Sequence, residues 1–293
     1  MITQDVPPAP PSVVAPAPWD LTVGLINATV QLDQPLNESS RKVGTGFLIS
    51  VPRPDGTPRV VLVTAAHVLN VMPGAEARIG WRTAEADGAW KFTPGSLAIR
   101  DAAGGPLWTQ HPERDVAVME ITAPAAFAQA AIPLGWLADE NTFDQWRVGP
   151  GDELMALGYP HGLSANKAGF PILRLGRISS WPLTPIRHFP IFLLDFAVSQ
   201  GNSGGPVFWT PAVDRLPGAP TPDHPYIAGV LVQEVQGGGE GLELGVVAHA
   251  QYVREAIELL DSIFSPFHGE GDRVAVEGAA QSSAVETPPP SRR

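Results

Sequence analysis

The most informative absence in this 293-residue sequence is that of cysteine, which does not occur at all. A chain without cysteine has no disulfide framework, no thiol nucleophile and no thiolate metal ligand. Basic residues are also scarce, since 19 lysines and arginines stand against 30 aspartates and glutamates, for a formal charge of −11. No basic stripe is present, and we therefore expect no nucleic-acid partner.

Long apolar runs are missing as well, because none approaches the roughly 20 residues needed to cross a bilayer. Segment 1–8 has neither the basic start nor the apolar centre of a secretory signal. These absences predict a cytoplasmic protein with no membrane partner. The seven histidines show no His-Glu-x-x-His spacing, and the run Gly237–Gly239 has no strand-loop-helix context for phosphate binding. We therefore expect neither a metal nor a cofactor.

What is present predicts a mainly β protein with a substantial core, since 44% of the residues are hydrophobic. Short apolar runs of strand length follow one another, beginning with Leu21–Leu32. Near the end of the chain, Tyr252–Phe264 has the apolar spacing of an amphipathic helix. Residues 1–18 hold six prolines, and residues 266–293 are rich in Gly, Glu, Ser and Pro, a composition typical of disordered segments.

The most distinctive stretch is Gln200–Val207, in which a serine lies among glycines (Gln-Gly-Asn-Ser-Gly-Gly-Pro-Val). The glycines permit backbone conformations that a Cβ forbids, and they leave room for a substrate carbonyl. Backbone N–H groups around Ser203 are then able to point at one spot, where an oxyanion would develop. A plain glycine-rich turn is the alternative interpretation.

Two further motifs argue against a plain turn. Thr64–His67 (Thr-Ala-Ala-His) ends one apolar run, and Asp115 begins another. Serine is a weak nucleophile that needs a general base, which a histidine supplies when a carboxylate orients its ring. The chain order of histidine, aspartate and serine predicts His67, Asp115 and Ser203 as the catalytic residues. Asp195, eight residues before Ser203, is a second candidate for the carboxylate.

Six segments share a family pattern: Thr45–Ile49, Val63–Val68, Asp115–Val118, Ala156–Pro160, Asp195–Pro206 and Gly245–Ala248. Together they resemble the trypsin-like (chymotrypsin-fold) serine peptidases, and most of all the disulfide-free bacterial HtrA-type group. The resemblance implies an all-β fold of two six-stranded antiparallel β-barrels with a C-terminal helix and without a PDZ domain. The predicted divisions are a disordered arm, an N-terminal barrel, a C-terminal barrel with its helix, and a disordered tail (1–18, 19–135, 136–265 and 266–293).

The resemblance further implies that the backbone N–H groups of Gly201 and Ser203 form the oxyanion hole. It places the substrate pocket at Ala197, Gln200, Val232, Gln233, Glu234, Gly245, Val246 and Val247. Ala197 at the base has no charge to pair with lysine or arginine, which favours a small or medium apolar side chain before the cleaved bond. Glu234 at the rim is the competing possibility, since its carboxylate would attract a basic side chain.

The function implied is a serine endopeptidase that cleaves a protein or peptide substrate through an acyl-enzyme intermediate. One alternative is a latent or inactive protease-fold binding module, controlled by a regulatory protein partner. Another is an esterase, because Gly201 and Gly205 frame Ser203 as in a Gly-x-Ser-x-Gly elbow. The β-rich context and the histidine-aspartate-serine order oppose the esterase interpretation.

Overall fold

The structure is a computed structural model that describes residues 19–53, 55–211, 215–237 and 240–264. The segments predicted to be disordered, 1–18 and 266–293, lie outside the described residues. Within the described parts of the chain, no helix has the length and hydropathy of a membrane span.

Short strands, with few helices between them, make up most of the described chain. The N-terminal half contains α1 Asp20–Ala28, β1 Thr29–Pro35, β2 Arg41–Pro52, β3 Pro58–Thr64, α2 Ala66–Asn70, β4 Glu76–Ala84, β5 Trp90–Ala98, β6 Thr109–Gln110, β7 Ala117–Ile121, α3 Ala125–Ala130 and β8 Ile132–Pro133. The C-terminal half contains α4 Glu140–Gln145, β9 Glu153–Gly158, β10 Ile172–Ile178, β11 Ile191–Asp195, β12 Pro206–Trp209, β13 Tyr226–Gly237, β14 Glu240–His249 and α5 Gln251–Phe264. Turns of 3-10 helix lie at Leu134–Trp136 and Pro160–Gly162.

The strands form two sheets, one in each half. The C-terminal strands close into a six-stranded barrel in the order β10-β11-β14-β13-β12-β9. The N-terminal strands form an eight-stranded sheet in the order β5-β4-β1-β2-β3-β7-β6, with β8 paired to β2. The chymotrypsin-like all-β fold with a C-terminal helix is confirmed. The N-terminal half differs from the predicted six-stranded barrel, because its eight strands form a sheet that is not closed among the described residues.

The prediction of a strand over Leu21–Leu32 is wrong for its first part. Residues 20–28 form α1, and the strand starts only at Thr29. The buried residues of this helix are Thr22, Leu25 and Ala28, a spacing of three that places them on one helical face. Asp20 in the first turn also suits the positive end of the helix dipole.

A buried arginine joins α1 to the second half of the chain. Arg82 of β4 is 3% exposed, and its guanidinium donates to the carbonyl oxygens of Ile26, Asn27 and Thr29 at the end of α1. On its other side it donates to the hydroxyl of Tyr159, at 2.9 Å. Burial raises the pKa of Tyr159 to about 12, so this hydroxyl stays protonated. Arg82 therefore fixes the turn that begins at Tyr159 against the N-terminal sheet.

A histidine without a sequence-based role lies in the core of the C-terminal half. His249, the last residue of β14, is fully buried. Its ring centroid lies 4.9 Å from that of Phe143 and 5.0 Å from that of Phe192. Burial lowers the pKa of His249 to about 4, so the ring is neutral at pH 7. His249 is therefore a packing residue of the barrel.

Candidate active site

The first part of the site lies at the end of two paired strands. β3 and β7 pair through Thr64 and Ala117, so the residues that follow β3 and precede β7 are neighbours. His67, in the first turn of α2, and Asp115, just before β7, therefore meet. The Nδ1 atom of His67 is 2.6 Å from Oδ2 of Asp115, and the backbone N–H of His67 donates to Oδ1 at 2.8 Å. With the Nδ1 proton directed at the carboxylate, Nε2 is left as the basic nitrogen.

The loop that carries Asp115 is braced by the C-terminal helix, a feature the sequence analysis missed. Nε2 of His111 lies 3.0 Å from Oε2 of Glu255 on α5. The guanidinium of Arg114 lies over the ring of Tyr252, 5.2 Å from its centroid. Both loop residues precede Asp115 by at most four positions, so α5 restrains the loop from which this carboxylate extends. No local motif marks these contacts, because 144 residues separate His111 from Glu255.

Asp195, the second candidate for the carboxylate, occupies a different place. It is the last residue of β11, where it is exposed and paired with Arg177 of β10. The carboxylate that hydrogen-bonds to His67 is that of Asp115. The structure thus brings His67 together with Asp115 and leaves Asp195 on the outside of the barrel.

Ser203 lies in the loop 196–205, between β11 and β12, which docks on β2. The backbone N–H of Thr45 donates to the carbonyl oxygen of Ser203 at 2.9 Å. Gly204 has a φ of +88°, and a Cβ at this position would overlap the carbonyl oxygen of Thr45, so only glycine fits. The hydroxyl of Ser203 donates to the carbonyl oxygen of Val232 at 3.2 Å. Among the described residues, this is the hydrogen bond of the Ser203 hydroxyl, and none joins it to His67.

The oxyanion hole is predicted at the backbone N–H groups of Gly201 and Ser203. The N–H of His161 donates to the carbonyl oxygen of Gln200 at 2.6 Å. Because a trans peptide unit directs its C=O and N–H to opposite sides, this bond turns the N–H of Gly201 away from His161. No described residue accepts a hydrogen bond from the N–H of Gly201 or of Ser203. Both donors are therefore open to a ligand.

These residues surround one cavity of about 530 Å³. Its lining comprises His67, Asp115, Val198, Ser199, Gln200, Ser203, Val232 and Gln233. The three residues predicted to be catalytic thus share one cavity with three of the predicted pocket residues.

The other predicted pocket residues are placed differently. Ala197 is not in the lining, and its neighbour Val198 takes that position. Gly245 lies behind Val198, since a Cβ on this glycine would be 3.0 Å from the Val198 side chain. Val246 and Val247 are buried in β14 and are not among the lining residues. The side chain of Glu234 lies outside the described part of the structure.

Histidine and carboxylate side chains are also potential ligands of a metal ion. Among the described residues, no group of three or more His, Cys, Asp or Glu side chains is arranged to hold a metal ion. The cavity holds a histidine-carboxylate pair and a serine hydroxyl, a combination that suits attack on a carbonyl carbon.

Comparison with known proteins identifies a family for this arrangement. A family model described as the trypsin-like peptidase domain matches residues 44–210. No curated protein matches the sequence. A solved variant of the HtrA-type protease AlgW with a tripeptide is 17% identical, with a TM-score of 0.49, over 87% of this chain and 65% of that one. Rv3671c from M. tuberculosis, solved as an inactive mutant, is 18% identical, with a TM-score of 0.49, over 86% of this chain and 98% of that one. The chain thus spans less than two thirds of the first of these structures.

Proposed function

Because the chain belongs to the trypsin-like peptidase family, we propose that it is a serine endopeptidase with His67, Asp115 and Ser203 as its catalytic residues. The observation that carries this proposal is the double hydrogen bond from His67 to Asp115, at 2.6 and 2.8 Å, in the cavity that Ser203 also lines. A carboxylate that holds both the ring and the backbone of a histidine fixes the direction of Nε2.

Acylation begins when Oγ of Ser203 attacks the carbonyl carbon of a peptide bond. His67 takes the hydroxyl proton on Nε2 as the new C–O bond forms, and Asp115 stabilises the resulting imidazolium. The negative charge moves to the substrate oxygen, where the open N–H groups of Gly201 and Ser203 donate to it. The C–N bond then breaks, and His67 passes the proton to the leaving amine.

Deacylation repeats these steps with water in place of the serine. His67 removes a proton from water, which attacks the ester carbon of the acyl-enzyme. The same two N–H groups stabilise the second oxyanion. Collapse of this intermediate breaks the C–O bond and returns the proton from His67 to Oγ of Ser203.

The hydrogen bond from Ser203 to Val232 favours a second candidate, a latent protease-fold module that a regulatory partner activates. In this arrangement the hydroxyl proton is directed at a carbonyl and not at the base. Rotation about the Ser203 Cα–Cβ bond exchanges one hydrogen bond for another, and such side-chain rotations take picoseconds to nanoseconds when exposed. We therefore prefer the constitutively active peptidase, which needs only this rotation.

The substrate class follows from the cavity wall. Val198 and Val232 supply its apolar surface, and its titratable lining residues are His67 and Asp115, which the proposed chemistry uses. A buried lysine or arginine side chain would find no further carboxylate among the described lining residues, and burying it unpaired would cost several kcal/mol. An apolar side chain gains about 25 cal/mol for each Å² buried. We expect cleavage after small or medium apolar residues.

Labelling with a fluorophosphonate tests the proposed nucleophile. The wild type should react at Ser203, because a fluorophosphonate modifies only an activated serine quickly. Ser203→Ala and His67→Ala should lose the label, and intact-mass spectrometry measures it. Ser199→Ala is the matched control, since Ser199 lines the same cavity and should leave labelling unchanged. Equal labelling of the wild type and Ser203→Ala would reject the proposal, and a wild type that labels only with an added partner would support the latent module.

A peptide library tests the substrate preference. Cleavage products should carry Ala, Val or Leu at the new C-terminus, as read by mass spectrometry. Dominant cleavage after arginine or lysine, lost in Glu234→Gln, would contradict the apolar assignment and identify Glu234 as the specificity residue.

A further inference from the structure

Thr45 lies on the part of β2 to which the nucleophile loop is attached. β1 pairs with β2 along residues 41–47, whereas the pairing of β3 with β2 stops at Phe47. Before Phe47, one edge of β2 therefore has no strand partner among the described residues. The loop occupies this edge, where the N–H of Thr45 donates to the carbonyl oxygen of Ser203 at 2.9 Å.

The hydroxyl of Thr45 makes two more contacts in the same region. It donates to the carbonyl oxygen of Gly201 at 2.7 Å and accepts the backbone N–H of Tyr159 at 3.1 Å. Thr45 is fully buried. A buried hydroxyl with both its donor and an acceptor position in use has one preferred orientation, so these contacts define the positions of both partners.

The two hydrogen bonds of the Thr45 hydroxyl affect the two peptide units that adjoin Gly201, the one before it and the one after it. The unit before Gly201 is held through the carbonyl oxygen of Gln200, which accepts from His161. The unit after it is held through its own carbonyl oxygen, which accepts from Thr45. His161 lies two residues after Tyr159, in the turn that Thr45 also binds. The Thr45 hydroxyl thus supports both peptide units, one directly and one through the turn.

We infer that Thr45 is a positioning residue for the oxyanion hole, acting through Gly201 and without contact to the substrate. This inference rests on the proposed peptidase function. Without the hydroxyl, the carbonyl of Gly201 and the N–H of Tyr159 lose their shared partner, and buried polar groups without partners move to find new ones. Movement at Gly201 misdirects its N–H, and one misdirected donor lowers kcat by about 10²–10³-fold.

Steady-state kinetics on Thr45→Val tests the inference. The variant keeps the shape of the side chain and removes the hydroxyl. We expect kcat for a peptide substrate to fall about 10²-fold while KM stays within a few-fold, because the donor acts mainly on the developing oxyanion. Thr45→Ser keeps the hydroxyl and should recover most of the rate. Thr45→Ala removes the hydroxyl without adding a methyl group, and it replaces Thr45→Val if that variant does not fold.

Thr29→Val is the matched control. Thr29 is also fully buried on a strand, and its hydroxyl donates to the carbonyl oxygen of Leu25 at 2.8 Å, away from the cavity. Both variants should lose similar stability in thermal unfolding, but only Thr45→Val should lose kcat. A reactive wild type with equal kcat for the two variants would overturn this inference alone. A wild type that neither labels nor cleaves would overturn the peptidase proposal and the inference with it.

Discussion

Gly201→Ala should separate the geometry of the oxyanion hole from general stability. Gly201 has a φ of +98°, a region that a residue with a Cβ occupies at a cost of about 1–3 kcal/mol. An added Cβ would also overlap the carbonyl oxygen of Tyr159 and lie 3.2 Å from the backbone nitrogen of His161. The backbone of both neighbours is fixed, so the loop has to move, and the hydrogen bond between His161 and Gln200 breaks.

The size of the effect follows from the loss of one donor. When the Gln200 carbonyl leaves His161, the N–H of Gly201 should turn away from the position proposed for the reacting oxygen. Losing one oxyanion donor costs about 2.7–4 kcal/mol, or about 10²–10³-fold in kcat. The strain adds a loss of stability, which we expect to be about 1–3 kcal/mol.

Gly88→Ala supplies the comparison for this prediction. Gly88, in the turn between β4 and β5, has a φ of +84°, and a Cβ there would meet no atom within 4 Å. The Gly88→Ala variant therefore has the backbone strain of a positive φ but no overlap of its Cβ with neighbouring atoms. Kinetics with a fluorogenic peptide and thermal unfolding should show a stability loss in both variants but a kcat loss only in Gly201→Ala. If the kcat of Gly201→Ala stays within about threefold of the kcat of Gly88→Ala, the N–H of Gly201 does not stabilise the oxyanion.

Two more predictions concern a carboxylate and a buried histidine. Asp115→Asn should fold normally and lose about 10⁴-fold in kcat, because the amide favours the wrong histidine tautomer; a comparable loss in Asp195→Asn instead would contradict this assignment. The pKa of His249, about 4, lies below its ordinary value of 6.5, so between these pH values the unfolded chain binds a proton that the folded chain does not. The free energy of unfolding should therefore fall by about 3 kcal/mol as the pH is lowered from 6.5 to 4. Urea unfolding of His249→Phe should lack this part of the pH dependence. If the free energy of unfolding of His249→Phe changes with pH as that of the wild type does, His249 is not its source.

The fold and the proposed catalytic residues were predictable because short local patterns encode them. The strand that ends at Thr64 and the loop before β7 each carry their functional residue within a few positions, so pairing of the strands is enough to bring His67 and Asp115 together. The glycines around Ser203 are likewise local requirements of backbone conformation. The catalytic roles of these residues remain a proposal that the labelling experiment tests.

The parts that could not be predicted depend on irregular backbone or on distant contacts. The sequence analysis placed Ala197 in the pocket, whereas Val198 lines the cavity. The loop after β11 has no alternating pattern from which the direction of each side chain could be inferred. α1 resembled a strand because Leu21, Val23 and Leu25 alternate with polar or small residues, whereas the helix buries only Leu25 of these three. Thr45 and His111 act through contacts with residues more than 100 positions away, which no local motif records.

The brace that α5 provides has a consequence for the order in which the site is completed during synthesis. Chains fold from the N-terminus as they leave the ribosome, so β3, β7 and the loop with Asp115 emerge long before Glu255. Until α5 is available, His111 lacks Glu255 and Arg114 lacks Tyr252, and the loop that carries Asp115 is less restrained. We therefore expect the nascent protein to gain its full catalytic competence late, when most of its own chain is already folded and less exposed to cleavage by its neighbours.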